Sequence, residues 1–380
     1  MRVLRFQLGA ANSFIDPASI RLKKKVVNED TTHPLVPLNA DPAVLFRRTN
    51  LYFSGALVED IDDYARTHHM LASFLPLDKR IEIAGNGFEV RHGASDKPEE
   101  NTHRLISPNG ILQGGSKTVM HLPLFGLLSS GKMIPLLAGG LVLEFELATV
   151  TSSLRTAVGM SQAYWLEDCR LLADTFSVDT SLLATYMAHL ASGKPLVIPF
   201  RSHNVIATAV ASTDFDVQLN RHFTRANGVY LTRFRDERDT AKEANHLFGP
   251  CEGQQTINTA SDDLRFFIQA GDKRIGEYDF EVPAELYYRL RQCLGTVNST
   301  AHTMSFTKEA FRRLGLFVVA VDLENMAHAD FSGMNLGGSR VTISGRNIRR
   351  ARTRSHKHGE TRHTSQFSTT ASWRYRNSEP

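Results

Sequence analysis

Short runs rich in β-branched and aromatic residues recur along the chain, separated by clusters of Gly, Pro, Asn and Asp. They cover residues 45–53, 141–147, 196–205, 229–234, 264–269, 316–323 and 340–343. Within 141–147, Leu141, Leu143, Phe145 and Leu147 fall on one face and Val142, Glu144 and Glu146 on the other. That period of two predicts a strand with one face on a core. Helical spacing is scarcer. Ile61, Tyr64, His68, Leu71 and Leu75 recur at three- and four-residue intervals and predict a helix over 58–75. Pro283 at a first helical turn and Gly295 past the end predict another over 283–294. Two more are predicted around 182–191, closed by Gly193, and over 307–314, between Thr307 and Gly315. Many strands with few helices favour sandwiches or barrels over a parallel sheet wrapped by helices.

The pattern repeats itself. Leu51-Tyr52-Phe53-Ser54-Gly55, a second strand and a helix holding Tyr64 follow one order. Phe267-Ile268-Gln269-Ala270-Gly271, a strand over 275–280 and a helix holding Tyr287 and Tyr288 follow the same one. The echo predicts two tandem units, 1–178 and 179–345, ahead of a tail at 346–380.

A chain of 380 residues, 42% hydrophobic and 22% charged, has material for a sizeable core, which excludes wholesale disorder. The net charge of +4 changes meaning once it is located. Residues 346–380 hold nine Lys or Arg against two acids, or +7, which leaves −3 on residues 1–345. Arg346, Arg349, Arg350, Arg352, Arg354 and Lys357 are therefore candidate contacts to nucleic-acid phosphates, sequence-independent and sensitive to salt. A solvated, disordered terminus is the plainer account of the same residues. Three widely spaced cysteines, Cys169, Cys251 and Cys293, exclude a disulfide framework and a cysteine-rich zinc site and fit a reducing compartment. Residues 1–9 lack the apolar run of a signal peptide, since Arg5 interrupts them. The apolar stretch 124–143 approaches the length of a membrane span. It contains Lys132, Pro135 and Gly139-Gly140, so it reads as two strands joined by a loop, and no membrane span is expected.

Candidate chemistry is sparse. Residues 126–133 nearly spell a phosphate-binding loop, but Met133 stands where a Mg²⁺-binding hydroxyl belongs and Pro135 obstructs the following helix. Glu59-Asp60-Ile61-Asp62-Asp63 reads as a solvated helix start, favoured by the helix dipole, rather than a calcium loop. Glu144 and Glu146 share a strand face, and such neighbours more often form an exposed or subunit-facing surface than a glycosidase pair. Of His68 and His69 only one imidazole can face a core from a helix, and a packed histidine is favoured over a ligand. His356, His358 and His363 sit in the tail, where nothing fixes a metal geometry. No nucleophile elbow or catalytic cysteine signature occurs. The expectation is a structural or binding protein with no catalytic residues, no cofactor and no metal.

Several stretches together resemble the double jelly-roll major capsid proteins of eukaryotic DNA viruses, especially the Polinton-like, adintovirus and virophage group. They are Phe46-Arg47-Arg48 leading through Leu51-Tyr52-Phe53 to residues 58–71; Leu122-Pro123-Leu124-Phe125 with 129–136 and 141–147; and 182–193 into 195–200, with Phe223-Thr224-Arg225 and Val229-Tyr230-Leu231. The last is 317–321 with Asp322-Leu323-Glu324, then Phe331-Ser332-Gly333-Met334-Asn335. The order and spacing of these segments, from residue 4 to about 343, carry the likeness.

The resemblance implies an all-β fold of two tandem eight-stranded antiparallel jelly rolls with short inserted helices. It further implies homotrimeric, pseudo-hexameric capsomers tiling an icosahedral virion, with minor capsid and penton proteins as partners and nucleic acid met at most indirectly through the tail. Relative to that family the chain lacks a lead-in strand before the match. It also has too few apolar residues after Ile348 to complete a buried strand pair, which implies a fold incomplete at its termini and a truncated or frame-disrupted gene copy. The alternative is a jelly-roll carbohydrate-active enzyme or lectin. That reading requires paired carboxylates in a cleft or an exposed aromatic platform, and the chain holds only two Trp.

Overall fold

A computed structural model describes residues 3–9, 13–88, 110–123, 126–136, 139–156, 158–193, 197–198, 200–208, 214–219, 223, 226–232, 265–271, 273–281, 283–297, 318–324, 333–336 and 340–346. The helix expected over 307–314, Cys251, the tail histidines and the tail cations beyond Arg346 lie outside them.

The strands are β1 (Val3–Leu8), β2 (Ser13–Ile15), β3 (Arg21–Asn28), β4 (Phe46–Phe53), β5 (Ala56–Ile61), β6 (Ser116–His121), β7 (Ile134–Pro135), β8 (Leu141–Leu147), β9 (Tyr164–Leu172) and β10 (Thr175–Ser177). They continue as β11 (Phe215–Leu219), β12 (Gly228–Thr232), β13 (Arg265–Ala270), β14 (Lys273–Phe280), β15 (Val318–Asp322) and β16 (Val341–Arg346). Among the described residues five α-helices accompany them: α1 (Tyr64–Phe74), α2 (Leu77–Gly85), α3 (Val150–Ser153), α4 (Thr180–Ala191) and α5 (Pro283–Cys293).

Every described pairing is antiparallel, and each joins strands within β1–β10 or within β11–β16. One four-stranded sheet runs β1-β8-β4-β5 and another runs β11-β16-β13-β14. The two have the same plan. In each, a hairpin (β4–β5 or β13–β14) lies beside a late strand (β8 or β16), which pairs on its far side with an early one (β1 or β11). A helix follows each hairpin, α1 or α5. Gly55 (φ 80°) and Gly271 (φ 60°) sit in the left-handed region at the two hairpin tips, where a Cβ would be strained. The echo in the sequence is thus a repeated topology.

Alternation builds the cores. On β8, Leu141, Leu143 and Phe145 are fully buried while Val142, Glu144 and Glu146 face the other way, half-buried. They pack with Phe46, Leu51 and Phe53 of β4, Ile61 of β5, Ile15 and Leu22 into one core. A second core gathers Val217, Phe266, Ile268, Phe280, Val318–Val321 and Ile343 with Leu286 and Leu290 of α5, and a smaller third one gathers Val26, Leu35, Val44, Phe88, Val119 and Leu154. Met70 of α1 is wholly buried in the second core, and Leu71 touches both the first and the second. One helix therefore links the two halves.

Three expectations are corrected. The helix expected over 58–75 begins only at Tyr64, because Ile61 is the last residue of β5 and pairs with Thr49. Ile61 faces the core from a strand, in phase with the helix that follows. For the same reason Glu59-Asp60-Ile61-Asp62-Asp63 is not a solvated helix start. Glu59 is buried on β5, Asp60 pairs with Arg48 (2.6 Å), and only Asp63 stands at the N-cap position of the helix, without a side-chain capping bond. Residues 197–198 and 200–205 form no strand. Phe200 instead plugs the first core. No described helix is long and apolar enough to cross a membrane.

Candidate functional site

The densest chemistry is buried. Lys24, Asp41, Tyr64, His68 and His121 lie together in the first half of the chain, all shielded from solvent. Each arrives by a local rule. Lys24 occupies an inward position of β3, whose inward set is Leu22, Lys24, Val26 and Asn28. Asp41 caps the 3₁₀ turn Pro42–Leu45, with its Oδ1 accepting from Ala43 N–H at 2.9 Å. Tyr64 and His68 are one helical turn apart on α1, and His121 ends β6.

His68 Nδ1 stands 2.5 Å from Asp41 Oδ2, and its Nε2 donates to the Leu122 carbonyl at 2.9 Å. His121 Nδ1 is 3.8 Å from Asp41 Oδ1, and its Nε2 lies 2.6 Å from the Tyr64 hydroxyl. The two imidazole rings are 5.0 Å apart, centre to centre. Lys24 Nζ donates to the Pro42 carbonyl at 2.9 Å and sits 3.7 Å over the Phe46 ring. Burial pulls the Lys24 amine well below its usual range. Burial also lowers His121 to about 3, against the opposing pull of Asp41. Burial would raise the Asp41 carboxyl, but the two imidazoles outweigh it and hold the group well below the usual carboxylate range. Asp41, His68 and His121 are far apart in the sequence, where only the adjacent pair His68-His69 forms a local pattern. Of that pair, His68 takes the core and His69 is half-buried against Asn39.

A second buried carboxyl is Glu59. Its Oε2 accepts from Leu127 N–H at 2.9 Å, in the turn Gly126–Ser129. This is the segment that resembled a phosphate-binding loop, and its amide holds the chain's own carboxyl group. Gly126 has φ 62°, and a Cβ there would overlap the Glu59 carboxyl. Burial, only partly offset by Leu127 and Ser202, pushes Glu59 up to about 7.

Glu144 and Glu146 are each matched by an arginine on a flanking strand, Arg5 (3.4 Å) and Arg47 (3.6 Å). These cross-strand ion pairs occupy both carboxylates. Arg346 ends β16 and forks onto Asp216 at 2.9 and 3.0 Å, with Nη1 also on the Phe215 carbonyl. It is a sheet residue rather than the first residue of the tail. Arg349, Arg350, Arg352, Arg354 and Lys357 lie outside the described residues.

The surface offers a different feature. From β9 through β10 into α4, apolar side chains face solvent: Trp165, Leu172, Phe176, Leu182 and Met187 are each about half exposed. No residue of α4 is buried, although the helix is mostly Leu, Ala, Met and Tyr. Its only described ring contact is Tyr186 against Phe14 (5.2 Å). Among the described pairings β9 and β10 are also edge strands of their three-stranded sheets.

Comparison with known proteins places this arrangement. No family model matches the sequence, and no curated protein does. Among solved structures, the chain is similar to PBCV-1 VP54, as fitted into a reconstruction of the virophage Sputnik, with TM-score 0.60 and 10% identity over 98% of this chain and 89% of that one. It is similar to the Faustovirus major capsid protein, with TM-score 0.60 and 8% identity over 97% and 86%. A third is a chain of the Sputnik virophage structure, with TM-score 0.53 and 9% identity over 97% and 82%. At such identities the likeness speaks for the backbone: this is an all-β chain with the fold of the viral double jelly-roll capsid proteins.

Proposed function

We propose that the chain is a major capsid protein, a structural subunit rather than an enzyme, of the Polinton-like, adintovirus and virophage type. The observation that carries this is likeness of backbone over 97–98% of its length to capsid subunits, not to one sheet or one domain. In this reading residues 1–178 and 179–345 are two jelly rolls side by side, and three chains close a pseudo-hexagonal capsomer through heterologous contacts. The apolar side chains of β9, β10 and α4 support such contacts, since a monomer gains nothing by leaving a Leu- and Ala-rich helix in water. Capsomers would then meet one another and minor capsid and penton proteins in the virion. The tail residues Arg349, Arg350, Arg352, Arg354 and Lys357 would meet nucleic acid only weakly.

The test is the assembly state of the purified full chain, by light scattering and negative-stain microscopy. Trimers, sheets or shells are expected. A monomer that persists at high concentration with no such assemblies overturns the proposal. Deleting residues 347–380 leaves Arg346 on Asp216 and should leave trimers intact; loss of trimers in that deletion would assign assembly to the tail.

A further inference from the structure

We propose that Asp41, His68 and His121 bind one zinc ion that staples α1 to β6 and to the turn before β4. Ligand atoms from the three residues, the carboxylate of Asp41 and a nitrogen of each imidazole, all lie within 4.8 Å of one another and are buried. They come from three separate elements, so closing them onto one ion would cross-link elements far apart in sequence.

What sets this cluster apart from ordinary packed histidines is the layer behind it. His68 Nε2–H is fixed on the Leu122 carbonyl, which leaves His68 Nδ1 as the inward-facing nitrogen. His121 Nε2 is likewise held by the Tyr64 hydroxyl, which leaves His121 Nδ1 facing inward. Asp41 Oδ1 is oriented by Ala43 N–H, with Oδ2 turned to His68. Metal-bound imidazoles commonly donate their far N–H to a carbonyl or hydroxyl in this way, which sets the tautomer and the ring plane. Ligand atoms around a tetrahedral zinc stand roughly 3.3 Å apart. The separations of 2.5 Å (His68 Nδ1 to Asp41 Oδ2) and 3.8 Å (His121 Nδ1 to Asp41 Oδ1) lie on either side of that value. At 3.8 Å His121 Nδ1 makes no short hydrogen bond to the carboxylate, which leaves room for both atoms to close onto one ion.

Two imidazoles and one carboxylate select a borderline divalent ion and disfavour Mg²⁺ and Ca²⁺, which take oxygen ligands. The one nearby ammonium, Lys24, is directed to the Pro42 carbonyl and the Phe46 face. The setting is a buried core, and three protein ligands leave the fourth tetrahedral position to a water. α1 also buries Met70 in the second core, so an ion that fixes α1 fixes the link between the halves.

The test uses the full chain stripped with chelator and titrated with ZnCl₂ against a chromophoric competitor, with metal content read by mass spectrometry. The tail histidines are removed in a parallel variant (His356→Ala, His358→Ala, His363→Ala), so that adventitious binding there is counted separately. The expected result is one equivalent of zinc in both proteins, a higher melting temperature with Zn²⁺ than with Mg²⁺, and Co²⁺ giving the visible bands of a tetrahedral site. His121→Gln should lose the equivalent and the bands. Tyr64→Phe, which keeps all three ligands, should weaken zinc about 10- to 100-fold. Should His121→Gln fail to fold, Tyr64→Phe and the Co²⁺ spectrum decide alone. Zinc bound only when the tail histidines are present, or undiminished in both His121→Gln and Tyr64→Phe, overturns the assignment.

Discussion

Replacing Glu59 by Gln isolates one buried ionisation. In the folded chain burial raises this carboxyl to about 7, from a usual value of 4.5. The folded state therefore binds the proton more tightly than the unfolded chain. Its contribution to stability is fully present below pH 4.5 and is lost as pH rises through 7. At roughly 1.4 kcal/mol for each tenfold in proton affinity, the loss amounts to about 3 kcal/mol by pH 8. Glutamine keeps the shape and an oxygen for Leu127 N–H but carries no charge at any pH. The two proteins should thus be similarly stable at pH 4.5 and diverge as pH rises, with Glu59→Gln the more stable by about 3 kcal/mol at pH 8. Denaturant midpoints across pH 4.5–8 measure this, and the difference between the two proteins cancels the titration of every other group. A constant difference across that range, or wild type gaining on the variant as pH rises, would refute the buried, proton-binding Glu59.

Three further perturbations test other parts of the structure. Gly126→Ala combines a positive φ with overlap on the Glu59 carboxyl and should destabilise the fold by at least about 2 kcal/mol in urea unfolding. Met70→Ala empties a place in the second core from a helix that follows β5, so it should cost roughly 2–5 kcal/mol and loosen amides of β12 and β15 in hydrogen exchange. Leu182→Asp with Met187→Asp on α4 should leave the melting temperature of the isolated chain nearly unchanged while reducing assembly seen by light scattering.

The sequence was most informative where a strand has one wet face. Residues 141–147 alternate because β8 lies in the middle of a sheet with one face on Phe46, Leu51 and Ile61, so composition alone exposes the pattern. The hairpin-and-helix repeat was legible too, because its turns require Gly55 and Gly271 and its second helix carries Pro283 at its start and Gly295 past its end. Residues 58–61 misled because Ile61 and Tyr64 point inward at a spacing that strand-then-helix and continuous helix share; pairing with Thr49 decides between them. Residues 196–205 misled because an apolar run with prolines can serve as a core plug as well as a strand.

Local sequence determined the strands with a wet face, the turns and the charge asymmetry, since each depends on neighbours a few residues away. The tertiary structure alone decided the fate of the charged and titratable groups. Glu59 reads as a solvated acid and His68 as a packed histidine, and Lys24, Asp41 and His121 carry no local signal, until β3, β5, β6 and α1 converge. Burial and a partner from a distant element set the charge of such a group, and both depend on which strands pair, a property of the whole chain.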